Sequence, residues 1–133
     1  MKNIITALIF ALALIWITAC GSDVTPAASG AATEIVPQSN PLSDEPSSIQ
    51  AGKASYENFC LSCHGPGGKG DGPAAASLTP HPSNLAELQQ TVDDGYLFGR
   101  IANGKEGTAM AAWKSVLSDE QIWQVVTYIR TLK

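Results

Sequence analysis

The sequence predicts a small all-α domain over residues 48–133, and three observations carry that expectation. Apolar residues recur at helical spacing at both ends of this region, and no part of it sustains the alternation of a strand. The stretch between is broken repeatedly by glycine and proline. At 133 residues the chain has room for one such domain and a tail.

The tail comes first. Lys2 precedes an apolar run from Ile4 to Ile17, followed by Thr18-Ala19-Cys20. A basic start, an apolar middle and a small-residue end make residues 1–19 a secretion signal. The run is short of the roughly 20 residues a bilayer span needs, and it has no basic flank to stop transfer. Ile17-Thr18-Ala19-Cys20 resembles a bacterial lipoprotein signal, which implies acylation of Cys20 and cleavage before it. Ordinary cleavage near Ala19 with a free Cys20 is the alternative. Residues 20–47 are rich in Pro, Ser, Ala and Thr, with Pro26, Pro37, Pro41 and Pro46 among them. Such composition repays little ordering entropy by burial and predicts a flexible tether from lipid to domain.

Within the domain, Ser47 or Ser48 is placed to cap a helix from about Ile49 to Phe59. Gly52, Tyr56 and Phe59 are spaced to share one side of it, with Gly52 admitting a second helix. Gly65 to Asn84 reads as loop. Its Gly-rich part lacks the Gly-Lys-Ser/Thr ending of a phosphate loop, and no strand precedes it. Thr91-Val92-Asp93-Asp94 starts another helix, with Tyr96, Leu97 and Ile101 turned inward and Asn103-Gly104 closing it. Ser118-Asp119-Glu120-Gln121 fits a capping box, and Ile122, Val125, Val126, Ile129 and Leu132 form the apolar face of the final helix.

Cys60-Leu61-Ser62-Cys63-His64 holds the chemistry. Two thiols three apart with a histidine directly after the second form the attachment signal for a c-type haem. Each thiol can add to a porphyrin vinyl group, and the short tether then sets His64 as an axial ligand to the iron. A dithiol redox site would follow a strand, whereas Ala54 to Phe59 looks helical. A structural zinc site needs about four ligands, and the rest of the exported chain offers only Cys20 and His81.

For the sixth iron position the exported chain offers Met110 and His81. Met110 lies in a loop without periodic apolar context, so a core-filling role explains it poorly, and its soft thioether favours ferrous iron. His81 sits between Pro80 and Pro82, either of which is placed to present a backbone carbonyl to the His64 ring. Trp113 and Tyr96 are candidates to line the haem, and Arg100 to pair with a propionate. A covalent haem would supply much of the core that roughly 85 residues cannot build alone.

The chain has 8 Lys and Arg against 12 Asp and Glu, for a formal net charge of −4, and loss of Lys2 takes it to about −5. That balance argues against nucleic acid as a partner.

These residues together resemble a class I, monohaem cytochrome c domain, of the kind seen in cytochrome c6 and oxidase haem subunits. The likeness rests on Cys60 to His64, Gly68-Lys69-Gly70-Asp71-Gly72-Pro73, Gly107-Thr108-Ala109-Met110 and Leu117 to Ile122. It implies N- and C-terminal helices packed together around one haem c, with Cys60 and Cys63 as thioether attachments and His64 and Met110 as axial ligands. It implies a one-electron carrier rather than an enzyme, and the lipoprotein-like signal implies a lipid anchor in a bacterial cell envelope with the haem domain on the extracytoplasmic side. Its partners would be a redox protein donor and acceptor, with no small-molecule substrate. The alternatives are a haem enzyme or gas-binding module with an open sixth position, or a fixed subunit of a membrane redox complex. One departure stands out: the proline usual after the ligand methionine is Ala111 here.

Overall fold

A computed structural model describes residues 39–43 and 45–133. The signal segment, Cys20 and most of the tether lie outside them. The described residues form five α-helices and no strand: α1 (Pro46–Phe59), α2 (Leu61–His64), α3 (Leu85–Leu88), α4 (Asp94–Asn103) and α5 (Asp119–Ile129), with a 3-10 turn at Ala75–Ser77. The domain is all-α, as the sequence predicts.

α1 begins earlier than expected and without a serine cap. Pro46 occupies the first turn, where its missing N–H costs nothing and its fixed φ suits a helix. Ser48 is instead buried inside the helix and, with Gly52 and Tyr56, forms the face that meets α5. Phe59 is not on that face. It turns outward and meets Trp113, with ring centroids 5.3 Å apart.

The α1–α5 crossing depends on Gly52. A methyl there would run into the Gln124 carbonyl and come within 3.1 Å of Tyr128 Cβ. One turn on, the Tyr56 and Tyr128 rings pack at 5.2 Å. The Tyr56 hydroxyl donates to the Gly65 carbonyl at 2.8 Å, which ties the helix pair to the loop after His64.

α5 carries the expected capping box: Gln121 N–H donates to Ser118 Oγ at 3.2 Å, and Ser118 N–H donates to Gln121 Oε1 at 2.9 Å. Its buried face includes Trp123 beside the expected aliphatics, with the ring 4.4 Å from that of Phe98 on α4. α4 is capped by Asp93, which accepts from Tyr96 N–H, and ends at Gly104 with φ 69°. Leu97 and Ile101 point inward as expected, joined by Phe98, whereas Tyr96 is 41% exposed and carries the Arg100 guanidinium over its ring.

The packed body extends N-terminal to α1. Asn40 is 5% exposed. Its amide donates to Trp123 O at 3.0 Å and Thr127 Oγ1 at 2.8 Å, and its backbone N–H donates to Asp94 Oδ2 at 2.9 Å. Asp94 also takes the Arg130 side chain, which donates onward to the Val92 carbonyl at 2.9 Å. One carboxylate thus joins the segment before α1, the start of α4 and the end of α5.

Candidate functional site

The Cys-x-x-Cys-His segment folds as the single turn of α2, continuous with the end of α1. His64 N–H donates to the Cys60 carbonyl at 2.9 Å, and Cys60 N–H donates to Tyr56 O at 2.8 Å. This pitch sets the two thiols three residues apart on one side of the turn, with the imidazole next to them. Both cysteines are free and half-buried. Burial, reinforced by Cys63, pushes the Cys60 thiol up to about 12. A thiol held protonated in this way is a poor nucleophile, unlike the activated member of a working dithiol.

His64 Nδ1 lies 3.1 Å from the Ser83 carbonyl. A carbonyl only accepts, so Nδ1 carries the proton and Nε2 keeps its lone pair for a metal. The orienting carbonyl is therefore that of Ser83, not of Pro80 or Pro82. Burial also pulls the His64 pKa below its ordinary 6.5, against a smaller opposing effect of the Ser83 bond. The neutral form, the one that binds metal, is favoured.

Cys60, Cys63, His64 and Met110 all line one cavity of about 200 Å³, with Leu97, Ile101, Val125 and Ile129 among its apolar walls. Tyr96, Arg100 and Trp113 line it too. Met110 is half-buried against the core, and its N–H donates to Thr108 Oγ1 at 3.1 Å. His81 also reaches the cavity wall, but it is exposed, and its Nδ1 lies 3.3 Å from the carbonyl of Pro82. Among the described residues there is no cluster of three or more His, Cys, Asp or Glu of the kind a zinc site needs.

A family model for cytochrome c oxidase, cbb3-type, subunit III matches residues 47–129. The chain belongs to this cytochrome c family. Cytochrome c6 of Chlorolobion braunii is 30% identical over 85 residues, covering 61% of this chain and 86% of that protein. Among solved structures, a chain of the reducing HAO-like protein complex of Kuenenia stuttgartiensis superposes at a TM-score of 0.63 with 27% identity, covering 74% of this chain. The match spans 50% of that longer chain. Cytochrome cL of Methylophaga aminisulfidivorans has the same fold at a TM-score of 0.56 and 20% identity, covering 70% of this chain and 58% of its own. As a cytochrome c, the domain carries covalent haem c and transfers electrons.

The cavity fits that group. Its lining offers two thiols, a thioether and two imidazoles, those of His64 and His81. It also has two cations, Arg100 and Lys105, and no Asp or Glu among the described residues. A flat apolar macrocycle with two carboxylates matches all three features.

Proposed function

We propose that Cys60 and Cys63 are the thioether attachment points of haem c, that His64 and Met110 are its axial ligands, and that residues 48–133 are a lipid-tethered electron carrier. The observation that carries this reading is the convergence of a Cys-x-x-Cys-His turn and the methionine of a distant loop on one apolar cavity. When bound, haem c supplies a one-electron Fe(II)/Fe(III) couple. The chain's own residues do the rest. Ser83 O fixes the His64 ring with Nε2 free, and the Met110 thioether favours the ferrous state. Val125, Ile129, Leu97 and Ile101 exclude water, which limits reorganisation when the charge changes. Two strong ligands leave no position for a substrate, so no catalytic residue is assigned.

Oxidised and reduced spectra of the matured protein, beside those of Met110→Leu, test the site. The expected native spectra are low-spin with a methionine-to-ferric-iron charge-transfer band, absent from the variant. High-spin native iron that binds carbon monoxide readily would defeat the closed site in favour of a gas-binding or enzymatic one.

Residues 1–19 are the proposed signal, Cys20 the acylated anchor and the stretch from Gly21 to the docked Asn40 the link to the domain, which puts the haem on the extracytoplasmic side of a bacterial envelope membrane. Among the described residues no helix is long and apolar enough to cross a membrane. Intact-mass analysis should find acyl chains on Cys20, and an unmodified soluble product would refute the anchor. The donor and acceptor are redox proteins.

The family's description as an oxidase subunit, and the printed assembly of the Kuenenia relative, favour a second reading in which the domain is a fixed part of a larger redox complex. Copurification at constant stoichiometry from gently solubilised membranes separates it from a shuttling carrier.

A further inference from the structure

Met110 sits in a loop that leaves α4 at Gly104 and returns at Trp113. The base of this loop is closed by backbone bonds to carbonyls of the last turn of α4: Trp113 N–H donates to Ile101 O at 3.0 Å, and Lys114 N–H to Ala102 O at 3.2 Å. A side chain at Gly104 would meet the backbone at Ala111 and Ala112 within 2.9 Å, so the loop folds tightly over the helix end.

Within that frame one side chain closes the tip. The Thr108 hydroxyl donates to the Lys105 carbonyl at 2.7 Å and accepts from Met110 N–H at 3.1 Å. Lys105 N–H in turn donates to the Met110 carbonyl at 3.1 Å. Both backbone polar groups of Met110 are therefore held, one by a hydroxyl and one by Lys105. The following residue is Ala111, whose φ no ring fixes. These bonds hold the methionine's backbone, together with the Thr108 N–H, which donates to Lys105 O at 3.2 Å.

We infer that Thr108 is the positioning residue for Met110, its hydroxyl setting the backbone from which the thioether reaches into the cavity. The inference rests on the assignment of Met110 as an axial ligand. Thr108 lines the cavity beside Met110, and the role assigned to it acts through the methionine. A valine keeps its shape but removes both the donor and the acceptor, whereas a serine keeps both.

The test uses matured holoprotein carrying Thr108→Val, Thr108→Ser or Met110→Leu beside wild type. In Thr108→Val the ratio of methionine-bound to methionine-free ferric iron should fall about tenfold, the effect of losing roughly one to two net hydrogen bonds. It would be read as loss of the charge-transfer band and faster carbon monoxide binding to ferrous protein. Thr108→Ser should restore both towards wild type. A Thr108→Val protein with wild-type band and carbon monoxide kinetics overturns the inference, as does a Thr108→Ser protein no better than the valine. If Thr108→Val does not mature, hydrogen exchange on wild-type holoprotein decides: a protected Met110 amide supports the inference, and a freely exchanging one overturns it. Wild type without covalent porphyrin, or Met110→Leu with the band intact, would instead defeat the underlying ligand assignment.

Discussion

Gly52→Ala offers the sharpest test of how this domain is held together. In an exposed helix interior the change stabilises by about 1 kcal/mol, because alanine is the better helix former. Here the added methyl meets the carbonyl of Gln124, a backbone group that no side-chain rotation can move aside. The helices must separate, and overpacking of this kind costs about 1–3 kcal/mol. With a backbone obstacle the upper end applies, leaving a net loss of about 2 kcal/mol. For a domain of this size that lowers the melting temperature by roughly 8–16 °C. Gly99 supplies the matched control: it lies inside α4, and a methyl there meets nothing within 4 Å. Gly99→Ala should raise the midpoint by about 4 °C. Far-UV circular dichroism melts of the two holoproteins measure both. A Gly52→Ala protein melting at or above wild type would refute the argument that close backbone approach of α1 to α5 fixes the frame.

Three further outcomes follow from named contacts. Asn40→Ala removes a buried amide bonded to Trp123 O and Thr127 Oγ1, and should cost about 1–3 kcal/mol with faster proteolysis before α1; an unchanged melt and cleavage rate would show that the segment is not docked. Arg100→Gln should lower the reduction potential, since a cation beside the cavity disfavours ferric iron. At ~10 Å and an effective dielectric near 30 the charge is worth about 1 kcal/mol, or ~40 mV, and potentiometry showing a rise would contradict the sign. Burial lowers the His64 pKa, so the native state binds that proton less readily than the unfolded chain. Stability from this source is full above about 6.5 and is lost as pH falls through the lower native value. Stability should therefore fall on acidification below about pH 6.5, and a melting temperature that rises there would contradict the sign.

The sequence makes some of this legible and hides the rest for physical reasons. α5 is readable because Ser118 and Gln121 form a local box and the apolar spacing runs unbroken for three turns. The cavity residues Cys60, Cys63 and His64 are readable because their spacing is itself the chemistry. α3 is a single turn, too short to show a period, and only Asn84 at its start hints at it. Ser48 looks like a cap, yet Pro46 takes over the start of the helix and leaves the serine free to be buried. Asn40 sits in a stretch of tether-like composition, and its meaning comes from partners more than eighty positions away on α5. Ser83 is missed for a related reason: prolines signal a stiff extended path, but not which carbonyl along it faces the imidazole.

The two proposed ligands are held by different kinds of structure, and this bears on how the site would fail. His64 belongs to a turn continuous with α1, its carbonyl accepting from Gly70 N–H at 2.9 Å and its ring braced by Ser83. Tyr56 joins that side to the α1–α5 pair through Gly65. The bonds named for Met110 begin and end between Ile101 and Lys114; Ile101 and Ala102 at the base are buried, but residues 105–112 are exposed or half-buried. Segments with few buried contacts and local hydrogen bonds open at lower free energy than the core they rest on. The methionine side should therefore release first under heat, denaturant or alkali, while the imidazole stays with the helices. A carrier built this way keeps its haem through an opening of the sixth position, because the thiols and the imidazole share the stable half of the fold.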